Sequence, residues 1–165
     1  KAIIHYDRAT NINSNYYQVF YQLGSLYYAE NQLEKARGKL NKAIIIESSY
    51  AKAYGTLGAV EQELGNIDIA IENYKKAVAQ DESMYDIYFR LSNVYNVKKE
   101  FHKAKIAAKK SLNIKQNYAP AFFELGFAEK HLGNKIAARD AFEKAKKDRN
   151  WRKRAQYELD FINLD

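Results

Sequence analysis

FYQLGSLY at residues 20–27 sets the organisation of the chain, because variants of it return three more times at one spacing. The later copies are YGTLGAVE at 54–61, YFRLSNVY at 88–95 and FFELGFAE at 122–129, so that positions 20, 54, 88 and 122 are evenly spaced. Self-similarity at a fixed period of about 20 to 50 residues is typical of arrays built from one supersecondary unit. The period therefore predicts a repeat array, for which architecture is easier to infer than function.

Each copy carries its apolar residues at helical spacing. Phe20, Leu23 and Tyr27 are three and four residues apart, which places them on one helical face. The residue after the leucine is small, so that a second helix can approach closely. These small residues are Gly24, Gly58, Ser92 and Gly126. Alanines in the following segment are expected to form the matching flat surface on the second helix: Ala36, Ala70, Ala104 and Ala138.

These columns resemble the tetratricopeptide repeat, a helix–turn–helix unit of the same length. The usual proline near the end of each unit is missing, since Ser48, Glu82, Gln116 and Asn150 stand there. The resemblance implies an all-α fold, a right-handed superhelical array of helix–turn–helix repeats. It also implies that the first helix of each repeat lines a concave groove.

We expect a single array over residues 1–165. Its four complete repeats are predicted at 16–49, 50–83, 84–117 and 118–151. Residues 1–15 fit the second helix of a truncated repeat, which indicates a cut within a longer array. Residues 152–165 are expected to form a capping helix, because a buried carboxylate at Asp160 would be costly under a partner helix. The many apolar residues of this segment fit either a broad amphipathic cap or a dimer or interdomain contact.

Local signals predict where the helices begin and end. Gly65-Asn66 and Gly133-Asn134 are typical of helix ends with a left-handed residue. Pro120 is expected in the first turn of its helix, where its missing N–H costs little. The predicted N-caps are Asn15, Ser49, Ser83 and Asn117.

The composition is that of a soluble globular protein, with 47% hydrophobic and 28% charged residues. No apolar run is long enough for a membrane span. Cysteine is absent, so thiol chemistry is excluded and the compartment, cytoplasm or periplasm, stays undetermined.

The net charge of +7 is concentrated in the second half of the chain. One cluster comprises Lys98, Lys99, Lys103, Lys105, Lys109 and Lys110, and the other Lys144, Lys146, Lys147, Arg149, Arg152, Lys153 and Arg154. Such clusters attract nucleic acid or an anionic membrane surface, but they also keep a repeat array soluble. We favour the solvated face, since no nucleic-acid-binding motif accompanies the charge.

No pattern of residues predicts catalysis, a metal site or a cofactor. His5, His102 and His131 stand in different repeats without partners at ligand spacing. The glycines at the small positions are single packing residues and form no phosphate-binding loop. We therefore expect a protein that is not an enzyme.

The candidate binding residues are those of the first helices that lie off the Leu/Gly packing face. Large aromatic residues beside small ones suit a bound peptide, because aromatic anchors contribute most of the energy at protein interfaces. Arg90 with its neighbouring asparagines is predicted to hold a carboxylate or a peptide backbone. Intra-array packing is the alternative for each aromatic residue. The predicted groove comprises Tyr21, Tyr28, Gly55, Ala59, Phe89, Arg90, Asn93, Asn96, Phe123 and Phe127.

The favoured function is a non-catalytic scaffold that binds a peptide or helix of a partner protein in this groove. Three alternatives stay open: docking on nucleic acid or membrane, a role as the targeting module of a larger enzyme, and homo-oligomers through the array ends. Chaperone-binding members of the family grip a C-terminal carboxylate with Lys/Asn side chains. The corresponding places hold Tyr21, Thr56 and Arg90 in one register and Gly55, Arg90 and Glu124 in the next. Neither set reproduces the Lys/Asn grip, so this activity is not expected.

Overall fold

The computed structural model describes the backbone of residues 16–164 and the side chains through Ile162. Within that part the chain forms α-helices joined by short turns, and no strand occurs there. The helices are α1 (Tyr17–Ala29), α2 (Leu33–Ile46), α3 (Ala51–Glu63), α4 (Ile67–Gln80), α5 (Tyr85–Val97), α6 (Phe101–Ile114), α7 (Ala119–His131), α8 (Lys135–Lys146) and α9 (Arg152–Leu164). The truncated repeat predicted at 1–15 lies outside the described residues.

The chain divides into two compact units between Glu82 and Ser83. In the first unit α1 packs on α2 and α3 on α4. In the second unit α5 packs on α6 and α7 on α8, and α9 follows α8. The expectation of an all-α array of helix–turn–helix repeats is confirmed.

The small residue after each leucine lies where the two helices of a repeat meet. A Cβ atom on Gly58 would stand 2.6 Å from Cδ1 of Tyr74, and one on Gly24 would stand 2.6 Å from Cγ of Leu40. The contact at Gly126 is with the Phe142 ring, at 2.8 Å. The predicted close approach is therefore present, and the nearest atoms over these three glycines belong to a large side chain of the second helix. The alanine column is buried in the core, whereas the large side chain four residues later fills the space over the glycine.

The third repeat solves the same packing problem with different residues. Ser92 replaces the glycine, and Ala108 stands where the other repeats have Leu40, Tyr74 and Phe142. The buried Ser92 hydroxyl donates a hydrogen bond to the Ala104 carbonyl over 2.8 Å. A larger residue on one helix is thus matched by a smaller one on the other, which keeps the core filled.

The predicted left-handed helix ends are confirmed. Gly65 and Gly133 have φ values of +82° and +79°. Asn31 and Lys99 hold the same place in the other two repeats, with φ values of 57° and 60°. All four turns thus keep one backbone conformation, and two of them accept the cost of a side chain there.

The predicted N-caps were wrong by one residue at the three positions that the structure describes, and Asn15 lies outside them. The helices begin after Tyr50, Met84 and Tyr118, and none of these caps makes a side-chain hydrogen bond. At Tyr50 the side chain packs instead of capping, since its ring lies edge-on to Tyr17, with centroids 5.0 Å apart. Pro120 does lie in the first turn of α7, as predicted.

We expect Gly58→Ala to destabilise the first unit by about 2 kcal/mol, because its Cβ would overlap the Tyr74 ring. Gly38→Ala is the matched control, since Gly38 lies in α2 with no atom within 4 Å of the place that a Cβ would take. This change should stabilise the protein by about 0.5 to 1 kcal/mol through helix propensity. Urea unfolding followed by circular dichroism measures both, and equal effects of the two substitutions would contradict the packing role.

Candidate binding surface on the second unit

The four predicted groove residues of the first unit take part in packing or are buried. Tyr21 packs edge-on against Tyr50, with ring centroids 5.1 Å apart, and Tyr28 packs on the core of that unit. Gly55 is buried and Ala59 is only 3% exposed. The expectation that these two small residues leave room for a ligand side chain was therefore wrong.

In the second unit, the aromatic residues Phe89 and Phe123 are partly used for packing. The Phe123 ring contacts Phe142 and Trp151, with centroids 5.4 and 5.1 Å away. Phe89 lies edge-on to Tyr118 at 5.7 Å. The interpretation that core packing does not need these rings was wrong. Sequence reasoning missed Trp151, the single tryptophan of the chain, because it stands in a turn outside the helical columns.

Arg90 is half-buried on α5, and its charge acts on the Tyr118 hydroxyl. Burial raises the pKa of the Tyr118 hydroxyl, the charge of Asp86 adds to this effect, and the charge of Arg90 opposes it. The predicted role of Arg90 in holding a carboxylate stays a prediction.

A buried carboxylate, Glu124, links α5 to α7. It is 5% exposed and accepts hydrogen bonds from the Nδ2 atoms of Asn93 and Asn96 over 3.0 and 2.8 Å. Asn96 Nδ2 also donates to the Glu124 carbonyl over 3.0 Å, so two acceptors fix the orientation of this amide. Burial raises the pKa of the Glu124 carboxyl, although the two asparagines and the charge of Arg154 partly offset this.

A cavity of about 170 Å³ opens beside this carboxylate. Four predicted groove residues, Asn93, Asn96, Phe123 and Phe127, line it. Val97 and Glu124 complete the lining, and neither was predicted as a site residue. A site with one buried carboxylate, two amides and two aromatic rings is suited to a group that donates hydrogen bonds.

The aromatic column of α7 continues on α9. Tyr157 and Phe161 stand one repeat length after Phe123 and Phe127, and their rings lie 4.6 Å apart. Tyr157 is 61% exposed and Phe161 is 44% exposed. Asp160 is also exposed and accepts a hydrogen bond from Gln156, in agreement with the expected avoidance of a buried carboxylate there.

The acid of α7 also recurs one repeat length later, where it has a different partner. Glu158 stands one repeat length after Glu124, and Lys130 stands one repeat length after Asn96. The Lys130 ammonium lies 2.9 Å from the Glu158 carboxylate and 5.6 Å from the centre of the Phe161 ring. One repeat thus holds an acid with amides, and the next holds it with a lysine and a ring.

The sequence model of the tetratricopeptide repeat matches residues 51–83 and 85–118. The chain therefore contains tetratricopeptide repeats. Heat shock protein STI1 of Saccharomyces cerevisiae is 33% identical over 84 residues, which are half of this chain but only 14% of that protein.

Solved structures of the repeat family have the same fold. A crystal structure of MamA superposes with a TM-score of 0.81 and 26% identity, over 87% of this chain and 84% of MamA. The second structure is that of YrrB, described as a tetratricopeptide repeat protein with an unusual peptide-binding site. It superposes with a TM-score of 0.80 over 94% of this chain and 80% of its own. At 19% identity, the likeness to YrrB concerns the fold alone.

Many lysines of the chain serve the scaffold. Lys42, Lys76, Lys110 and Lys144 share one column and lie 5.4 to 5.7 Å from the aromatic rings of Phe20, Tyr54, Tyr88 and Phe122. Lys105 binds the buried Glu129 carboxylate over 2.9 Å. These contacts give part of the basic clusters a structural role, in line with the favoured solvated face. In the described part of the chain, no helix combines the length and apolar character that a membrane span requires.

We expect Phe123→Ala to lower the free energy of unfolding by about 2 kcal/mol, because the substitution leaves a void beside Phe142 and Trp151. Tyr157→Ala at the equivalent exposed position should change it by about 0.5 kcal/mol or less. Thermal or urea unfolding distinguishes the two variants. Equal destabilisation would mean that Tyr157 is as much a packing residue as Phe123.

The raised pKa of Glu124 gives a signed pH dependence. The folded state binds the proton more tightly than the unfolded chain does, so this residue lowers stability as pH rises above its ordinary pKa. The free energy of unfolding of Glu124→Gln minus that of wild type should therefore increase between about pH 4 and pH 7.

Glu100→Gln serves as the control with opposite sign. Lys103 lowers the pKa of Glu100, so the ionised form contributes stability that is lost as pH falls through the lowered folded-state pKa. The free energy of unfolding of Glu100→Gln minus that of wild type should therefore decrease as pH rises. Parallel profiles for the two variants would contradict the assignment.

Proposed function

We propose that the chain is a non-catalytic interaction scaffold whose second unit binds a peptide segment or helix of a partner protein. The binding surface, here called the aromatic surface, comprises Phe123, Phe127, Tyr157 and Phe161 with the cavity beside Glu124. The observation that carries the proposal is the exposure of Tyr157 and Phe161 in the column that continues from α7.

The energetics favour contact with a macromolecule. Aromatic side chains supply large apolar area with few rotatable bonds, and such residues dominate binding energy at protein interfaces. The rings of Tyr157 and Phe161 contact each other at a tilt of 60° and leave much of both side chains in water. Their exposed area is available for a partner, whereas the ring of Phe123 packs on Trp151.

The shape of the site favours a peptide over a small molecule. Pockets for drug-sized ligands usually enclose about 300 to 1,000 Å³. The cavity beside Glu124 has about 170 Å³, which suits one side chain of a longer ligand. The rest of such a ligand would lie along the exposed rings of α9, as an extended segment or a helix laid in a groove does.

The comparisons support this class of function. The repeat family is one of interaction scaffolds, and YrrB shows that a protein of this fold can carry a peptide-binding site. The short match to STI1 assigns no partner to this chain, and a grip on a chaperone tail stays unexpected because the Lys/Asn side chains are absent from the corresponding places.

Selection of a displayed library of random peptides, about a dozen residues long, on the intact chain tests the proposal. Tyr157→Ala/Phe161→Ala should weaken the selected peptides about thirtyfold, equivalent to about 2 kcal/mol for lost aromatic anchors. Ile136→Ala is the matched control, because Ile136 is an 89% exposed apolar residue on α8 outside the aromatic surface. It should leave the affinity unchanged.

Three results would contradict the proposal: no enriched peptide, selected peptides that bind the double variant as tightly as wild type, or peptides that depend on Ile136. Sedimentation of the free chain separates the homo-oligomer alternative. A dimer that Tyr157→Ala/Phe161→Ala dissociates would assign the exposed rings to self-association.

A further inference from the structure

We propose that the cavity beside Glu124 binds a cationic side chain, lysine or arginine, of the bound peptide. The charge would pair with the Glu124 carboxylate and lie against the ring of Phe127. This inference rests on the proposed function and adds a specificity to it, because it names the chemistry of one ligand residue.

The chain contains its own example of such a site one repeat later. Lys130 places its ammonium 2.9 Å from Glu158 and 5.6 Å from the centre of the Phe161 ring. Glu158 and Phe161 are the equivalents of Glu124 and Phe127 in the repeat period. A carboxylate and an aromatic face at this spacing on the repeat therefore accommodate a cation, through charge pairing and cation–π attraction.

Asn96 stands where the second copy has Lys130, and it is shorter and neutral. The carboxylate and the ring are kept, whereas no lysine stands at the position equivalent to Lys130. The cavity of about 170 Å³ lies at this place, lined by Asn96, Glu124 and Phe127 among others. A ligand cation that entered it would occupy the position equivalent to that of the Lys130 ammonium.

The residues that line the cavity include no cation. Glu124 accepts its hydrogen bonds from two neutral amides, Asn93 and Asn96, and the nearby Arg154 also lies 5.5 Å over the Trp151 ring. In addition, Oδ1 of Asn96 is a buried acceptor without a hydrogen-bond partner among the described residues. Burying a carboxylate is costly, the charge of Arg154 offsets part of that cost, and a cationic donor in the cavity would offset more of it.

Two small probes test the inference without a known partner: N-acetyl-lysine methylamide and its neutral analogue N-acetyl-norleucine methylamide. Each is titrated into the ¹⁵N-labelled intact chain while the side-chain amide signals of Asn93 and Asn96 are followed by NMR. We expect the lysine probe to shift these signals with an affinity about tenfold higher than the norleucine probe, as a charge-assisted hydrogen bond implies.

Three variants locate the effect. Glu124→Gln should abolish the tenfold preference, whereas Glu158→Gln, the control in the pair already filled by Lys130, should retain it. Asn96→Lys supplies the internal cation and should weaken the lysine probe at least tenfold, with Asn93 as the remaining reporter. If Glu124→Gln fails to fold, Asn96→Lys and the comparison of probes on wild type still decide the question.

Equal shifts with both probes, or a preference that survives in both Glu124→Gln and Asn96→Lys, would overturn the inference. These results are independent of the peptide selection. Selected peptides that bind without any preference for lysine or arginine would leave the scaffold function standing and remove only the cationic specificity. If the cavity prefers the lysine probe but the chain selects no peptide, the cationic specificity would stand and the scaffold function would be contradicted.

Discussion

The close approach of two helices at one small residue is the constraint on which the rest of the structure depends. Gly58 leaves its side of the contact empty and Tyr74 fills it, so the two helices of that repeat pack without a void. Where Ser92 replaces glycine, Ala108 replaces the large partner, and the core stays filled. Every other column takes its position from this contact, because helical spacing then fixes which residues face the neighbouring helix.

A regular backbone lets the repeats differ in chemistry without differing in geometry. One column pairs Asn96 with Glu124 in one repeat and Lys130 with Glu158 in the next. The first pairing lies beside a cavity with a buried carboxylate, and in the second the Lys130 ammonium pairs with the acid and lies near a ring. The period thus builds the scaffold, and substitutions within a column create the places where a partner could be recognised.

Much of the fold was predictable because it depends on local rules. The period, the close helix contacts, the left-handed turns at Gly65 and Gly133 and the place of Pro120 all follow from backbone geometry or spacing. The N-caps were not predictable in this way. At Tyr50 and Tyr118 ring packing competes with polar capping, and spacing alone gives no measure of that competition. Of the predicted groove, four residues line one cavity, whereas Gly55 and Ala59 are buried.

By itself, the sequence determined the repeat length, the residues that pack the helices together and the column in which aromatic side chains recur. Only the tertiary structure decided which of those aromatic residues are exposed. Phe123 and Tyr157 share a column, yet Phe123 packs on Phe142 and Trp151 while Tyr157 lies mostly in water. The reason is physical: periodicity sets the direction of a side chain on its helix, whereas exposure depends on what other helices and turns bring against it.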